Sequence, residues 1–233
     1  AVFIATVVEI PGRAMFQIIN PLVAKALNNN DIKELSNLYS KSSINLLIIA
    51  GLFFLLININ IDPFYELMSN PSYGDAIWVV LMISLSKLIL MSFGCGPAIL
   101  ATAKFYKITL PFSILMAISV YFLNDVLIDI YSINGAALST LLVVSLFTFV
   151  KIIYIKFKLN ISPYSVHSLK VLLIICVVYF IFELIVFNFS NIIEILINSL
   201  FIFTIYSFLI YKSNSSDAIN RFINNLLKGK LRL

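Results

Sequence analysis

Apolar residues dominate seven stretches of the chain, at roughly 1–27, 42–60, 76–100, 108–124, 133–157, 169–188 and 191–211. Each is near the ~20 residues a helix needs to cross a hydrocarbon core of ~30 Å. Runs of this length fit helices and not the shorter strands of a barrel. The fourth is the shortest and carries Pro111 near its start, where a first helical turn tolerates proline. The pattern predicts an all-α integral membrane protein with about seven transmembrane helices.

The connections between these stretches carry the next layer of information. Those after the first, third and fifth stretches hold Lys25, Lys33 and Lys41, then Lys104 and Lys107, then Lys151, Lys156, Lys158 and Lys170. The C-terminal tail adds Lys212, Arg221, Lys228, Lys230 and Arg232. The intervening connections hold Asp62, Glu66 and Asp75, then Asp125 and Asp129, then Glu194, with no Lys or Arg. Basic and acidic connections therefore alternate, as seven passages require. The positive-inside rule then places the basic set and the C-terminus in the cytoplasm. It also accounts for the net charge of +5 without a nucleic-acid partner.

Two polar segments read as helical. In NNNDIKELSNLYS, Asp31 and Glu34 have capping-box spacing, which predicts a cytoplasmic extension of the second transmembrane helix. In the tail, Ile219, Phe222, Ile223, Leu226 and Leu227 fall on one face, and a basic run follows. That pattern fits an amphipathic helix on the inner leaflet, with an Asn-rich frayed tail as the alternative.

Within the apolar stretches a few polar residues stand out. Lys87 lies about ten residues from either end of the third, or ~15 Å at the helical rise. Snorkelling does not cover that distance, and an unpartnered lysine at mid-span costs roughly 2.5–3.5 kcal/mol. It therefore needs a partner or a wet cavity. Ser84, one turn earlier, is expected on the same face. In the first stretch Glu9, Arg13, Gln17 and Asn20 fall at i, i+4, i+8 and i+11, one polar stripe on an apolar helix. Glu9 and Arg13 have the spacing of an intrahelical pair. Pro11 and Pro21 are expected to interrupt this helix and free backbone carbonyls, and Gly94-Cys95-Gly96-Pro97 to bend or end the third helix below Lys87. If Glu9 and Arg13 cancel, Lys87 leaves one positive charge, which suits an anionic ligand such as a phosphate. Arg13, Gln17, Asn20 and Lys87 are thus the candidate substrate-binding residues, and Glu9 the candidate coupling-ion site. The competing reading makes Arg13 and Lys87 structural, paired to acids on a missing part of the chain.

The composition agrees: 61% of residues are hydrophobic and 12% charged, too little polar surface for a water-soluble globule. Cys95 and Cys176 lack metal-ligand spacing and read as small core residues. Glu183 reads as an interfacial carboxylate. His167 is the lone histidine, in a basic connection. No metal site, catalytic constellation or cofactor motif is present, so no enzymatic chemistry is expected. The sequons at Asn160, Asn188 and Asn214 accompany a general excess of Asn, Ile and Lys and carry no functional weight. The chain opens inside an apolar stretch at Ala1, the expectation for part of a longer protein.

The stretch IPGRAMFQIINPLVAKALNNNDIKELSNLYSKSS, with Leu-x-x-Leu-Tyr-x-Lys-Ser at Leu35 to Ser42, resembles bacterial polysaccharide flippases of the Wzx type, in the MATE-like superfamily. GCGPAILATAKFYKI resembles that family's small-residue helix end and basic connection. YSINGAALSTLL resembles its Tyr-Gly-Ile-x-Gly-Ala-Ala helix entry, with Ser132 where glycine is usual, and KFKLNISPYS resembles the connection that follows. The resemblance implies the C-terminal lobe of a two-lobed transporter over residues 1–157, incomplete at its N-terminus. It further implies two extra helices over 158–212, a cytoplasmic tail over 213–233, and a missing N-terminal lobe as partner. It also implies location in the bacterial inner membrane and movement of a polyprenyl-diphosphate-linked oligosaccharide between leaflets by alternating access, with membrane lipids around it. Cationic cavity residues would hold the anionic headgroup.

Three other readings compete. A cation-coupled exporter of small cationic or drug-like molecules needs a net acidic cavity, for which Glu9 alone stands while Lys87 opposes it. A glycan-modifying membrane enzyme needs reactive residues in a large loop, whereas no connection exceeds about twenty residues. A membrane scaffold leaves the polar stripe unexplained.

Overall fold

The computed structural model describes residues 1–68, 76–102, 105–184 and 190–227. Asp75, Lys104, Asn188, Lys228, Lys230 and Arg232, and the side chains of Phe222, Leu226 and Leu227, lie outside the described residues. The fold is all-α. Helix α1 (Val2–Thr6) runs through a 3-10 turn at Val7–Glu9 into α2 (Ile10–Asn28). There follow α3 (Ile32–Ile59), the short α4 (Ile61–Leu67), α5 (Ile77–Ser92), α6 (Gly96–Ala101) and α7 (Tyr106–Leu159). Finally come α8 (Val166–Leu184), α9 (Asn191–Ser213) and α10 (Asp217–Leu227).

Five helical runs are long and apolar enough to cross a membrane: Val2–Asn28, α3, α7, α8 and α9. A total of seven passages requires taking α5 with α6 as one and counting α7 twice. Helix α7 has 54 residues, ~81 Å if straight, far more than one hydrocarbon core. It is not straight. Ser132 takes φ 52° and ψ −131°, and the helix folds back there. Ser139 Oγ bonds Asn124 Oδ1, and the Phe112 and Tyr154 rings lie 6.2 Å apart. Both pairs are nearly symmetric about Ser132, so the limbs are antiparallel. A Cβ at Gly135 would collide with the Leu127 carbonyl. The turn is tighter than the sequence suggests: Asp125 and Asp129 sit in helix and not in a connecting loop, and the first limb is longer than the stretch 108–124.

Three buried clusters order the bundle along its length. Ala5, Ile61, Tyr65, Val79, Val80, Ile83 and Ala137 pack at one end. Val23, Leu27, Leu35, Tyr39, Phe93, Ile99, Ile155 and Leu159 pack at the other. Between them α3 lies against α8 and α9: Leu47, Ala50 and Phe54 share a core with Ile175, Val178, Ile202 and Tyr206. Tyr206 is fully buried and donates to the Ile48 carbonyl at 2.8 Å. The last two transmembrane helices therefore share the core of the preceding ones. Lys25, Lys33, Lys107, Lys156 and Lys158 all fall at the end marked by Leu27 and Leu159, and Asp62 and Glu66 at the end marked by Ile61. The charge alternation read from the sequence becomes a sorting of charges to two ends.

Local signals explain the turns. Asp31 caps α3, its side chain accepting from the Glu34 N–H at 2.9 Å, so the transmembrane helix starts well before its apolar part. Helix α5 ends at Ser92, and Gly94 takes φ +58°, a conformation that favours glycine. The turn is clamped to α3: Ser43 donates to the Ser92 carbonyl at 2.6 Å, and the Cys95 N–H donates to Ser42 Oγ at 2.9 Å. Tyr164 adds a 2.9 Å bond to Ser92. Segments distant in sequence, Leu35–Ser42, Gly94–Pro97 and Lys156–Ser165, thus meet at the basic end.

The tail helix is tethered to the bundle at its start. Helix α10 forms; Ser216 at its start donates to Asn45 at 2.6 Å, and Ile219 packs on the bundle core.

Ser132 and Gly94 give opposite expectations. Ser132→Gly relieves a conformation that costs a non-glycine residue roughly 1–3 kcal/mol, and should raise the thermal midpoint in detergent. At Gly94 a Cβ would lie 2.6 Å from the Ser43 nitrogen and 2.7 Å from Ser42 Oγ, so Gly94→Ala should lower it. Equal midpoints for both variants would contradict these turn geometries.

Candidate functional site

The polar residues of the first stretch lie on one helical run, but only some of them meet. Pro11 cannot donate to the Val7 carbonyl, and the backbone tightens into the 3-10 turn that carries Glu9. Pro21, by contrast, sits inside an unbroken α2. It leaves the Gln17 carbonyl without its helical donor, but does not interrupt the helix as expected.

Glu9 is shared by two cations. Its Oε1 accepts from Arg13 Nη2 at 2.9 Å, and its Oε2 from Lys87 Nζ at 2.8 Å. The Arg13 side chain is 72% exposed, Lys87 25% and Glu9 19%. Among the described residues these are the only ion pairs. The partner that mid-span Lys87 requires is therefore on the neighbouring helix. One carboxylate serves both cations, and the sum of −1, +1 and +1 is +1.

Gly12 makes the contact possible. A Cβ there would lie 2.6 Å from Met91 Sδ, so the α1–α2 run and α5 meet at that level through the Met91 side chain, their main packing lying further back at α1 and the 3-10 turn. They run parallel, which brings Lys87, one turn before Met91, beside Glu9, one turn before Gly12. Sequence reading passed over this glycine. Its signal was a small residue between the two charged members of the stripe, a pattern that also marks helix contacts in membranes.

Lys87 sits between the clusters at either end of the bundle, but it is five residues from the end of α5, not about ten. Ser84 does not share its environment. It is fully buried and receives the Asn58 side-chain amide at 2.9 Å, facing α3. Gln17 and Asn20 are exposed and bond to none of Glu9, Arg13 and Lys87.

Of two cavities bounded by described residues, neither has a wall from Arg13, Gln17, Asn20 or Lys87. One of 290 Å³ lies between α5 and α8 around Leu88, Ser92 and Tyr164. The other, of 770 Å³, is an apolar groove between α2, α3 and α9, with Ile219 and Ile223 of α10 at its margin. It meets Pro11, Ala14 and Ile18 of the first helix. At about 100° per residue these lie roughly a third of a turn away from Arg13 and Gln17. The charged stripe is thus on an open face beside α5, and not in a chamber closed by this chain alone.

At the opposite end from the basic residues, Asp62 lies near Glu183 and Glu66. Burial pushes its carboxyl above the ordinary range, and the two neighbouring acids push in the same direction. Among the described residues no group of His, Cys, Asp and Glu is arranged to hold a metal ion. Cys95 and Cys176 are free thiols. The chain matches no protein-family model, no curated protein and no solved structure.

The two bonds to Glu9 should differ in strength. A double-mutant cycle on Glu9 and Lys87, read by unfolding in detergent, should give a coupling of roughly 0.6–1.7 kcal/mol, the range of interhelical polar contacts in membranes. The same cycle on Glu9 and Arg13 should stay at or below about 0.5 kcal/mol, as for an exposed i,i+4 pair. Zero coupling for Glu9 and Lys87 would remove the ion pair from the description of the site.

Proposed function

We propose that this multi-pass membrane protein belongs to a transporter that moves an anionic, lipid-linked substrate between leaflets by alternating access. The substrate class we favour is a polyprenyl-diphosphate-linked oligosaccharide, destined for a surface polysaccharide of a bacterium. On this reading the chain sits in the bacterial inner membrane with the basic end and C-terminus in the cytoplasm, and carries out transport and not covalent chemistry.

A single observation carries the reading: at mid-depth of an apolar bundle, two cations share one carboxylate on an open face and leave a net positive charge. A purely structural pair would be neutral and enclosed, because burying a surplus charge has no stabilising return. A surplus cation at an accessible face suits a mobile anion. Arg13 supplies a planar fork of N–H donors for phosphate oxygens and Lys87 a point charge behind it. Exposed Gln17 and Asn20 extend the polar face one and two turns further, where sugar hydroxyls would find amide partners. A cation-coupled exporter is less well served, since both oxygens of Glu9 are engaged by cations.

The test is leaflet-resolved translocation of a labelled polyprenyl-diphosphate sugar in vesicles holding the full transporter. Arg13→Ala and Lys87→Ala should each slow transport by at least about tenfold, as expected when a close charge pair with the ligand is lost. Wild-type rates in both would refute the reading.

A further inference from the structure

Glu9 poses a problem for any anion that uses this site. Its two oxygens occupy the inward donors of both cations. An anion approaching from the open face meets Arg13 first, since that side chain is 72% exposed. Lys87 is 25% exposed and tied to Glu9 at 2.8 Å. Arg13 has five N–H donors and Lys87 three. Among the described residues each uses one, on Glu9. Arg13 can therefore take a first phosphate without disturbing anything. A second phosphate reaches Lys87 only in competition with the Glu9 carboxylate.

We propose, on the transport reading above, that Glu9 is a resident counter-anion that stands in for the second phosphate of a diphosphate and is displaced from Lys87 when the ligand binds. The arithmetic of charge supports this. With Glu9 in place the cluster carries +1, matched to one anionic charge. With Glu9 displaced, Arg13 and Lys87 offer +2, matched to a diphosphate. The empty site never leaves two cations unpaired at membrane depth, which would be costly. The loaded site exchanges a single negative charge for a double one, and the surplus of +1 is neutralised. Such an exchange limits affinity and keeps release feasible, as a transporter requires. Displacement requires only the Glu9 side chain to swing, since its neighbour Val8 is fully buried in the core. The 3-10 turn at Val7–Glu9 joins two α-helical segments ahead of Pro11, so the backbone there lacks one helical hydrogen bond.

The experiment measures equilibrium binding of radiolabelled farnesyl diphosphate, farnesyl monophosphate and inorganic pyrophosphate to the full transporter in nanodiscs. Wild type is compared with Glu9→Gln, Glu9→Asp and Lys87→Ala. Glu9→Gln should tighten farnesyl diphosphate by on the order of tenfold and the monophosphate by much less. Glu9→Asp, one methylene shorter and unable to span both cations, should give a smaller gain in the same direction. It serves if the glutamine variant does not fold. In the double variant with Lys87→Ala the gain should vanish. Translocation by Glu9→Gln should slow despite tighter binding, because release is then harder; a merely structural role would weaken both. Equal gains for pyrophosphate and the farnesyl compound assign recognition to the diphosphate alone, whereas a gain confined to the farnesyl compound adds its chain.

Weaker or unchanged diphosphate binding in both Glu9 variants would overturn the displacement proposal. The transport reading would survive that result if Arg13→Ala and Lys87→Ala still slowed translocation.

Discussion

A hydrocarbon slab offers no water to solvate a charge, so each ionised side chain at depth must bring its own partner. Lys87 is the point in this fold where that constraint binds hardest. It stands mid-way along the bundle on a helix otherwise made of apolar residues and three buried serines. Its ammonium is satisfied by Glu9, on a helix 78 residues earlier in the chain. The pairing requires the α1–α2 run and α5 to lie parallel: α5 packs on α1 and the 3-10 turn, and Gly12 leaves room for the Met91 side chain where α2 begins. With that arrangement in place Arg13 comes to an open face, while the kink ahead of it comes from Pro11.

The same constraint shapes the backbone. Chain reversals at depth would strand carbonyls and amides, so they occur at the ends of the bundle and are satisfied there. The Gly94 turn is closed by Ser42 and Ser43 from α3. The reversal at Ser132 is so tight that helix continues on both sides of a single residue. Ser132 carries a positive φ that a glycine would adopt more readily, and the tightness of the turn keeps the exposed backbone to a minimum. These turns explain why the bundle shows charge at two ends and almost none between.

The apolar groove and the charged stripe divide the first helix into two working sides. One side, with Pro11, Ala14 and Ile18, faces α3 and α9 across a water-poor groove. The other, with Arg13 and Gln17, faces open space beside α5. A ligand with an anionic head and a long hydrocarbon tail asks for this pair of environments, which lie roughly a third of a turn apart around the helix.

Membrane class, helical character, the segments' approximate limits and the alternation of basic and acidic connections were legible along the chain alone. These are sums over consecutive residues, and transfer free energy is additive along a helix. The sequence also marked Glu9, Arg13 and Lys87 as anomalous, because each breaks an apolar run on its own. Three-dimensional packing was needed to settle that one carboxylate serves both cations, that Ser84 turns away to Asn58, and that Gln17 and Asn20 stand apart. It likewise decided that Asp125 and Asp129 are helical and that α10 docks against Asn45. Each of these depends on the distance between residues far apart in the chain. Periodicity along a single helix gives the direction of a side chain, but not which helix it will meet.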